Sequence, residues 1–91
     1  MGRKRRRGRD VDIVLYESPT CVKCGVLREM LRNRGVHFKV RNIVLDAGAM
    51  RELAEQTGGV VTVPALRIGR RLLADPRWED LAELLGINGK K

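Results

Sequence analysis

The segment Cys21-Val22-Lys23-Cys24 constrains this chain more than any other, because it follows an apolar run and opens a helical pattern. A strand that delivers Cys-x-x-Cys onto a helix start puts both sulfurs where backbone N–H groups lack intrahelical partners and the helix dipole is positive. A thiolate is favoured there over a thiol. Thr20 stands where an N-cap hydroxyl would go, and Lys23 adds a cation beside the first sulfur. Both are read as tuning Cys21 to a depressed pKa. Cys24, one turn further in, is placed to attack a mixed disulfide on Cys21. The pair therefore reads as a redox-active disulfide, with Cys21 attacking and Cys24 resolving.

The residues around the pair set its framework. Val11 to Tyr16 is rich in β-branched and aromatic side chains and reads as a buried strand. Ser18-Pro19-Thr20 breaks it. From Cys24, the apolar residues Leu27, Met30 and Leu31 recur at helical spacing until Gly35. Gly25 inside this helix costs about 1 kcal/mol relative to Ala. Val36, Phe38 and Val40 alternate with His37, Lys39 and Arg41, the period of a second strand. Strand, helix, strand with short connections predicts a right-handed crossover and a parallel pair. Asp46 is the expected cap of a second helix with Met50, Leu53, Ala54 and Thr57 on one side, stopped by Gly58-Gly59.

Val60 to Ile68 returns to strand character, but Pro64 has no N–H for a ladder, so the strand begins at or after it or lies at an edge. Gly69-Arg70 predicts a two-residue hairpin turn, and Arg71 to Ala74 a last strand. Asp75-Pro76 reads as a cap followed by proline at the first helical position. Trp78, Leu81, Ala82 and Leu85 make that helix's buried stripe, ended by Gly86. The expected order is β-α-β-α-β-β-α, an α/β domain over residues 11–87.

Ninety-one residues suffice for one core without extra staples. Two cysteines this close cannot staple distant segments, so they are no secretory disulfide framework. No apolar run approaches the ~20 residues of a membrane span, and no apolar segment follows the basic start. These features point to a cytoplasmic protein with no membrane partner. The formal charge of +8 is uneven: Arg3, Lys4, Arg5, Arg6, Arg7 and Arg9 carry six positive charges. Residues 1–10 are read as a disordered basic tail, able to meet phosphates of nucleic acid without sequence preference, and residues 88–91 as a loose C-terminus.

The element order, the cysteine pair on the first helix and Thr62-Val63-Pro64 ahead of the third strand together resemble the glutaredoxin family of the thioredoxin fold. The resemblance runs from Asp12 to Gly86. It implies a four-stranded mixed sheet flanked by three helices, and thiol–disulfide exchange as the activity. It also implies a cis proline at Pro64 beside the cysteines, with Thr62 and Val63 offering backbone to a bound thiol peptide. Tyr16 matches a tyrosine often found at the end of the family's first strand.

Two departures bear on the electron donor. Val22-Lys23 replaces the Pro-Tyr of ordinary glutaredoxins and is similar to the redoxins that serve ribonucleotide reductase. Ser18 stands where the family has a lysine, and Ala74-Asp75-Pro76-Arg77 where it has paired aspartates holding the γ-glutamyl end of glutathione, leaving Asp75 as the one matched acid. The resemblance thus implies a monomeric carrier with no bound cofactor, reducing disulfides in proteins or small thiols. Its expected reductant is a thioredoxin reductase-like flavoprotein rather than glutathione.

A reading of a different class stays open: a redox-fold binding module whose cysteines sense, or ligate zinc or an iron–sulfur cluster across two chains, held on nucleic acid by the arm. Tetrahedral zinc within one chain needs four ligands, and His37 is the only other candidate ligand. Arg67, Arg70 and Arg71 near the hairpin are candidates for an anionic substrate or simply a solvated cluster.

Overall fold

The computed structural model describes residues 12–87, so the basic tail of 1–10 and the end at 88–91 lie outside the described residues, as does Val11. Seven elements follow in the expected order: β1 (Ile13–Glu17), α1 (Val22–Asn33), β2 (Lys39–Asn42), α2 (Ala47–Thr57), β3 (Ala65–Ile68), β4 (Arg71–Ala74) and α3 (Trp78–Leu85). They form a four-stranded sheet in the order β2-β1-β3-β4. β2 runs parallel to β1, with Leu15 opposite Val40. β3 runs antiparallel to β1, with Leu15 opposite Leu66, and β4 antiparallel to β3. Among the described residues no helix is long and apolar enough to cross a membrane.

β1 is buried on both faces, and its alternation separates two apolar clusters. Ile13 and Leu15 pack with Leu27 and Leu31 of α1, Leu66 of β3 and Leu81 of α3. Val14 and Tyr16 face the other way, toward Ile43, Ala49 and Leu53 beside α2, and Ala65. One helix pair thus covers one face of the sheet and α2 the other. Each fully buried aliphatic side chain contributes about 1.5–3 kcal/mol relative to exposure, so these two clusters fix the register of β1.

Several boundaries differ from the sequence expectation. β2 starts at Lys39 rather than Val36, because Val36 and Phe38 turn onto the α1–α3 cluster before ladder pairing begins. α2 buries Ala49 and Leu53, while Met50 is 38% exposed. α3 does not start at Asp75-Pro76: its N-cap is Arg77, which makes no side-chain cap. Asp75 instead sits at φ 48°, its N–H bonded to the Pro64 carbonyl at 2.7 Å. That bond to the residue leading into β3 holds it outside a cap geometry. Glu79 and Asp80 in the first turn of α3 oppose its dipole favourably.

The hairpin of β3 and β4 turns at Gly69 and Arg70, with Gly69 at φ 63°, where a Cβ is strained. Gly25 has no such need. A Cβ there would meet only the Arg28 side chain, at 3.8 Å.

A polar network secures α2 to the sheet. Asp46 caps α2 by accepting from the Ala49 N–H at 3.1 Å and pairs with Arg41 at 3.0 Å. Arg41 also reaches Glu52 at 2.9 Å. The guanidinium of Arg41 and the Ala49 N–H hold the Asp46 carboxyl below the usual carboxylate range. Because the folded value is depressed, this stabilisation is present above the unfolded value and is lost as pH falls through the folded one.

Two outcomes are expected. Leu66→Ala, at the centre of the sheet and fully buried, should cost about 2–5 kcal/mol in urea unfolding. Asp46→Asn keeps a capping side chain but not the charge. Its melting temperature should fall below the unsubstituted protein's at neutral pH, and the gap should close under acid conditions. A gap independent of pH would assign Asp46 a purely capping role.

Candidate functional site

The topology gathers three segments at one end of the sheet. β1 and β2 are parallel, so Glu17 and Asn42 both end there, and the antiparallel β3 begins there with Ala65 opposite Tyr16. Residues 18–21, 43–46 and 60–64 therefore share that end. Cys21 is the N-cap of α1, with extended backbone at φ −88° and ψ 104°. Its Sγ accepts the Cys24 N–H at 3.0 Å. The cap is thus the sulfur itself and not the Thr20 hydroxyl, which lies one residue outside the helix and is exposed. Cysteine takes the position because its Sγ can reach the third N–H, as a capping oxygen would.

Cys21 and Cys24 are joined as a disulfide with Cα atoms 5.2 Å apart. The two sulfurs sit in unlike surroundings: Cys21 is half-buried, whereas Cys24 is 1% exposed and faces the core. Beside them the Arg28 guanidinium bonds Glu17 at 2.6 Å, tying the second turn of α1 to the end of β1. This is the least exposed ion pair among the described residues, and it braces the turn that carries Cys21.

Lys23, Asp75 and Pro64 come together from distant parts of the chain. Lys23 Nζ lies 3.3 Å from both carboxylate oxygens of Asp75. Asp75 in turn donates its N–H to Pro64, and the Val63–Pro64 bond is cis, as the resemblance implied. Pro64 is buried, and Thr62 and Val63 are half-buried at the same end of the sheet.

Tyr16 stands apart. Its side chain has no exposed surface and points into the α2 cluster, where its hydroxyl donates to Glu52 at 2.6 Å and accepts from Gln56 at 3.3 Å. It is positioned to hold α2 rather than to touch a substrate. His37 lies at the other end of the sheet from the cysteines, so the three are not brought together. The Arg67 guanidinium donates to the Gly69 carbonyl at 2.7 Å, within its own hairpin.

Sequence reasoning missed one feature of this end. Val22 and Leu45 are each 80% exposed, and Val44 and Val60 are also exposed at this end of the sheet. Asn42 holds Val44 and Leu45 out by accepting both their N–H groups, at 2.9 and 3.1 Å. For Val44 and Leu45 the available signal was apolar residues lying outside any helical or strand stripe.

A family model described as Glutaredoxin matches residues 13–73. The chain belongs to the glutaredoxin family. Among solved structures it is similar to the thioredoxin-like protein BC3987, at 26% identity and a TM-score of 0.76, over 81% of this chain and all of that one. The glutaredoxin of Archaeoglobus fulgidus shares the fold at 23% identity and a TM-score of 0.68, over 93% of this chain and 98% of that one. Wheat glutaredoxin does so at 20% identity and 0.60, over 87% and 83%. No curated protein matches the chain in sequence. Family, fold and a cysteine pair at disulfide distance together support redox oxidoreductase chemistry at the level of the family.

Tyr16→Phe separates the two roles open to that residue. It should destabilise the fold by about 1 kcal/mol, the worth of a typical hydrogen bond, and leave disulfide reduction unchanged. A loss of activity in a folded Tyr16→Phe protein would return Tyr16 to the substrate site.

Proposed function

We propose that this chain is a dithiol carrier that reduces disulfides in protein partners. The observation that carries the reading is the asymmetry of the pair: Cys21 half-open at the helix N-terminus, Cys24 closed beneath it. Reduced Cys21, as thiolate, attacks one sulfur of a partner disulfide. A mixed disulfide forms and the partner's other sulfur leaves as thiolate. Cys24, deprotonated, then attacks Cys21 Sγ, releasing the partner's second thiolate and closing the Cys21–Cys24 disulfide. Two electrons pass to the partner, and a separate reductant must restore the dithiol.

A protein partner suits the exposed apolar residues around the pair, since Val22, Val44, Leu45 and Val60 offer far more apolar surface than a small thiol can cover. Thr62 and Val63, at the same end of the sheet as Cys21, are assigned on this reading to pair their backbone with an extended partner segment. Glutathione is a poor fit. Its charged groups need fixed partners, and a desolvated charge left unpaired costs several kcal/mol. Ser18 supplies no cation, and Pro76 supplies no N–H. Asp75, the one matched acid, is already engaged by Lys23. A thioredoxin reductase-like flavoprotein is the better donor on this reading.

The test uses single substitutions and two donors. Cys21→Ser should abolish reduction of an insulin-type disulfide, and Cys24→Ser should accumulate a mixed disulfide through Cys21. Faster alkylation of Cys24 than of Cys21 in the reduced protein would reverse the two roles. In coupled assays at equal flux, thioredoxin reductase should sustain turnover better than glutathione with its reductase. Robust reduction of a glutathione mixed disulfide at low-millimolar glutathione would overturn the donor assignment.

A further inference from the structure

A dithiol carrier must hold a thiolate when reduced, and the surroundings of one sulfur oppose it. Cys24 is 1% exposed, and burial disfavours the charged form of a thiol. The Cys24 N–H is aimed at Cys21 Sγ from 3.0 Å, not at its own sulfur. Lys23 lies 3.3 Å from both carboxylate oxygens of Asp75, and residues two apart on a helix do not face each other.

Arg28 does share the face of the sulfurs. Cys21, Cys24 and Arg28 follow the i, i+3, i+7 spacing of one helical stripe. Long side chains on a helix turn back toward its N-terminus, and Arg28 does so. Its Nη2 lies 3.8 Å from where a Cβ on Gly25 would stand. Gly25 directly follows Cys24, so the guanidinium reaches the first turn of α1, roughly 5–8 Å from the sulfurs. Nη1 donates to Glu17 at 2.6 Å, and the two side chains are 31% and 14% exposed. A cation near a helix N-terminus works against the dipole. Glu17, the last residue of β1, holds it there.

The other charges around this end are engaged elsewhere or solvated. Asp75 is paired with Lys23, and Asp46 and Glu52 are paired with Arg41 on the α2 side of the sheet. On α1, Glu29 pairs with Arg32; on α3, Arg77 pairs with Glu79, and Asp80 and Glu83 are exposed. Of the three cations on α1, Lys23 and Arg32 are exposed and only Arg28 is half-buried. Partly buried charges are screened less than exposed ones.

Building on the dithiol-carrier reading, we propose that Arg28 stabilises the thiolate of the reduced Cys21–Cys24 pair. Glu17 sets the strength of this effect by holding and partly neutralising the guanidinium. The two sulfurs titrate as a coupled pair, so the effect falls on the pair's first thiolate. A guanidinium stays charged wherever thiols ionise, so it acts across their whole titration. The two members of this ion pair therefore act on the thiolate with opposite sign, whereas a purely structural brace would make them act alike.

The test is the pH dependence of iodoacetamide alkylation in the reduced full-length protein, with the labelled cysteine assigned by mass spectrometry. Arg28→Met should move the profile to higher pH and slow labelling at about pH 6 roughly 3–10-fold. Arg28→Lys, which keeps the charge, should recover most of that loss. Glu17→Gln keeps an oxygen for Arg28 Nη1 and removes the opposing charge, so it should move the profile to lower pH. Being nearly isosteric, it gives the sign even where Arg28→Met fails to fold. An unshifted profile in either variant, or shifts in the same direction, would overturn the proposal and leave the pair a brace. Alkylation needs no partner disulfide. Opposed shifts in a protein that reduces no insulin-type disulfide would therefore support the role of Arg28 and count against the carrier reading alone.

Discussion

Burial of β1 on both faces is the constraint from which the rest of this structure follows. Ile13, Val14, Leu15 and Tyr16 are each nearly or wholly without solvent contact. A strand of that kind cannot sit at the edge of a sheet or on an open face, so it needs a neighbour on each side and a helical layer above and below. The chain supplies β2 and β3 as neighbours, α1 and α3 as one layer, and α2 as the other. Once β1 is central, the end where it runs into α1 is also the end where β2 finishes and β3 begins. The cysteine pair and the Thr62-Val63-Pro64 segment meet there because of strand direction, not because of any attraction between them.

Much of this was legible in the sequence because it rests on local rules. The order of elements, the hairpin at Gly69-Arg70 and the start of β3 after Pro64 each follow from periodicity or from what proline and glycine permit. The parts that were not legible depend on contacts between distant residues. Asp75-Pro76 has the composition of a helix start, yet a hydrogen bond to Pro64 and an ion pair with Lys23 take Asp75 out of that role. Tyr16 carries the family's tyrosine, and only the position of Glu52 and Gln56 on α2 shows that its hydroxyl is turned inward. Thr20 has the better capping side chain, but the helix begins one residue later and the cap falls to Cys21.

The two poles of the molecule differ in what they present. At the cysteine end Lys23 is paired to Asp75 and Arg28 to Glu17, and Val22, Val44, Leu45 and Val60 are exposed. At the other end Arg34, His37 and Lys39 are exposed and in no ion pair among the described residues. The two ends are separated by the length of β1.

The sequence offers two sources of thiolate stabilisation at Cys21, the Lys23 cation and the helix N-terminus, and the structure ranks them. Lys23 is largely solvated, at 71% side-chain exposure, and already faces a carboxylate. Exposed pairs of this kind are worth about 0–1 kcal/mol, and Asp75 cancels part of the field that Lys23 would send toward sulfur. The Cys24 N–H, by contrast, points directly at Cys21 Sγ from 3.0 Å. It belongs to the backbone, so it stays aimed whatever the side chains do. Hydrogen bonds to an ionised acceptor contribute about 1.5–3 kcal/mol, and the positive end of α1 acts in the same direction. Of the two, the backbone of the first turn is the group the structure aims at Cys21 Sγ. Lys23 links the first turn of α1 to Asp75 in the β4–α3 connection.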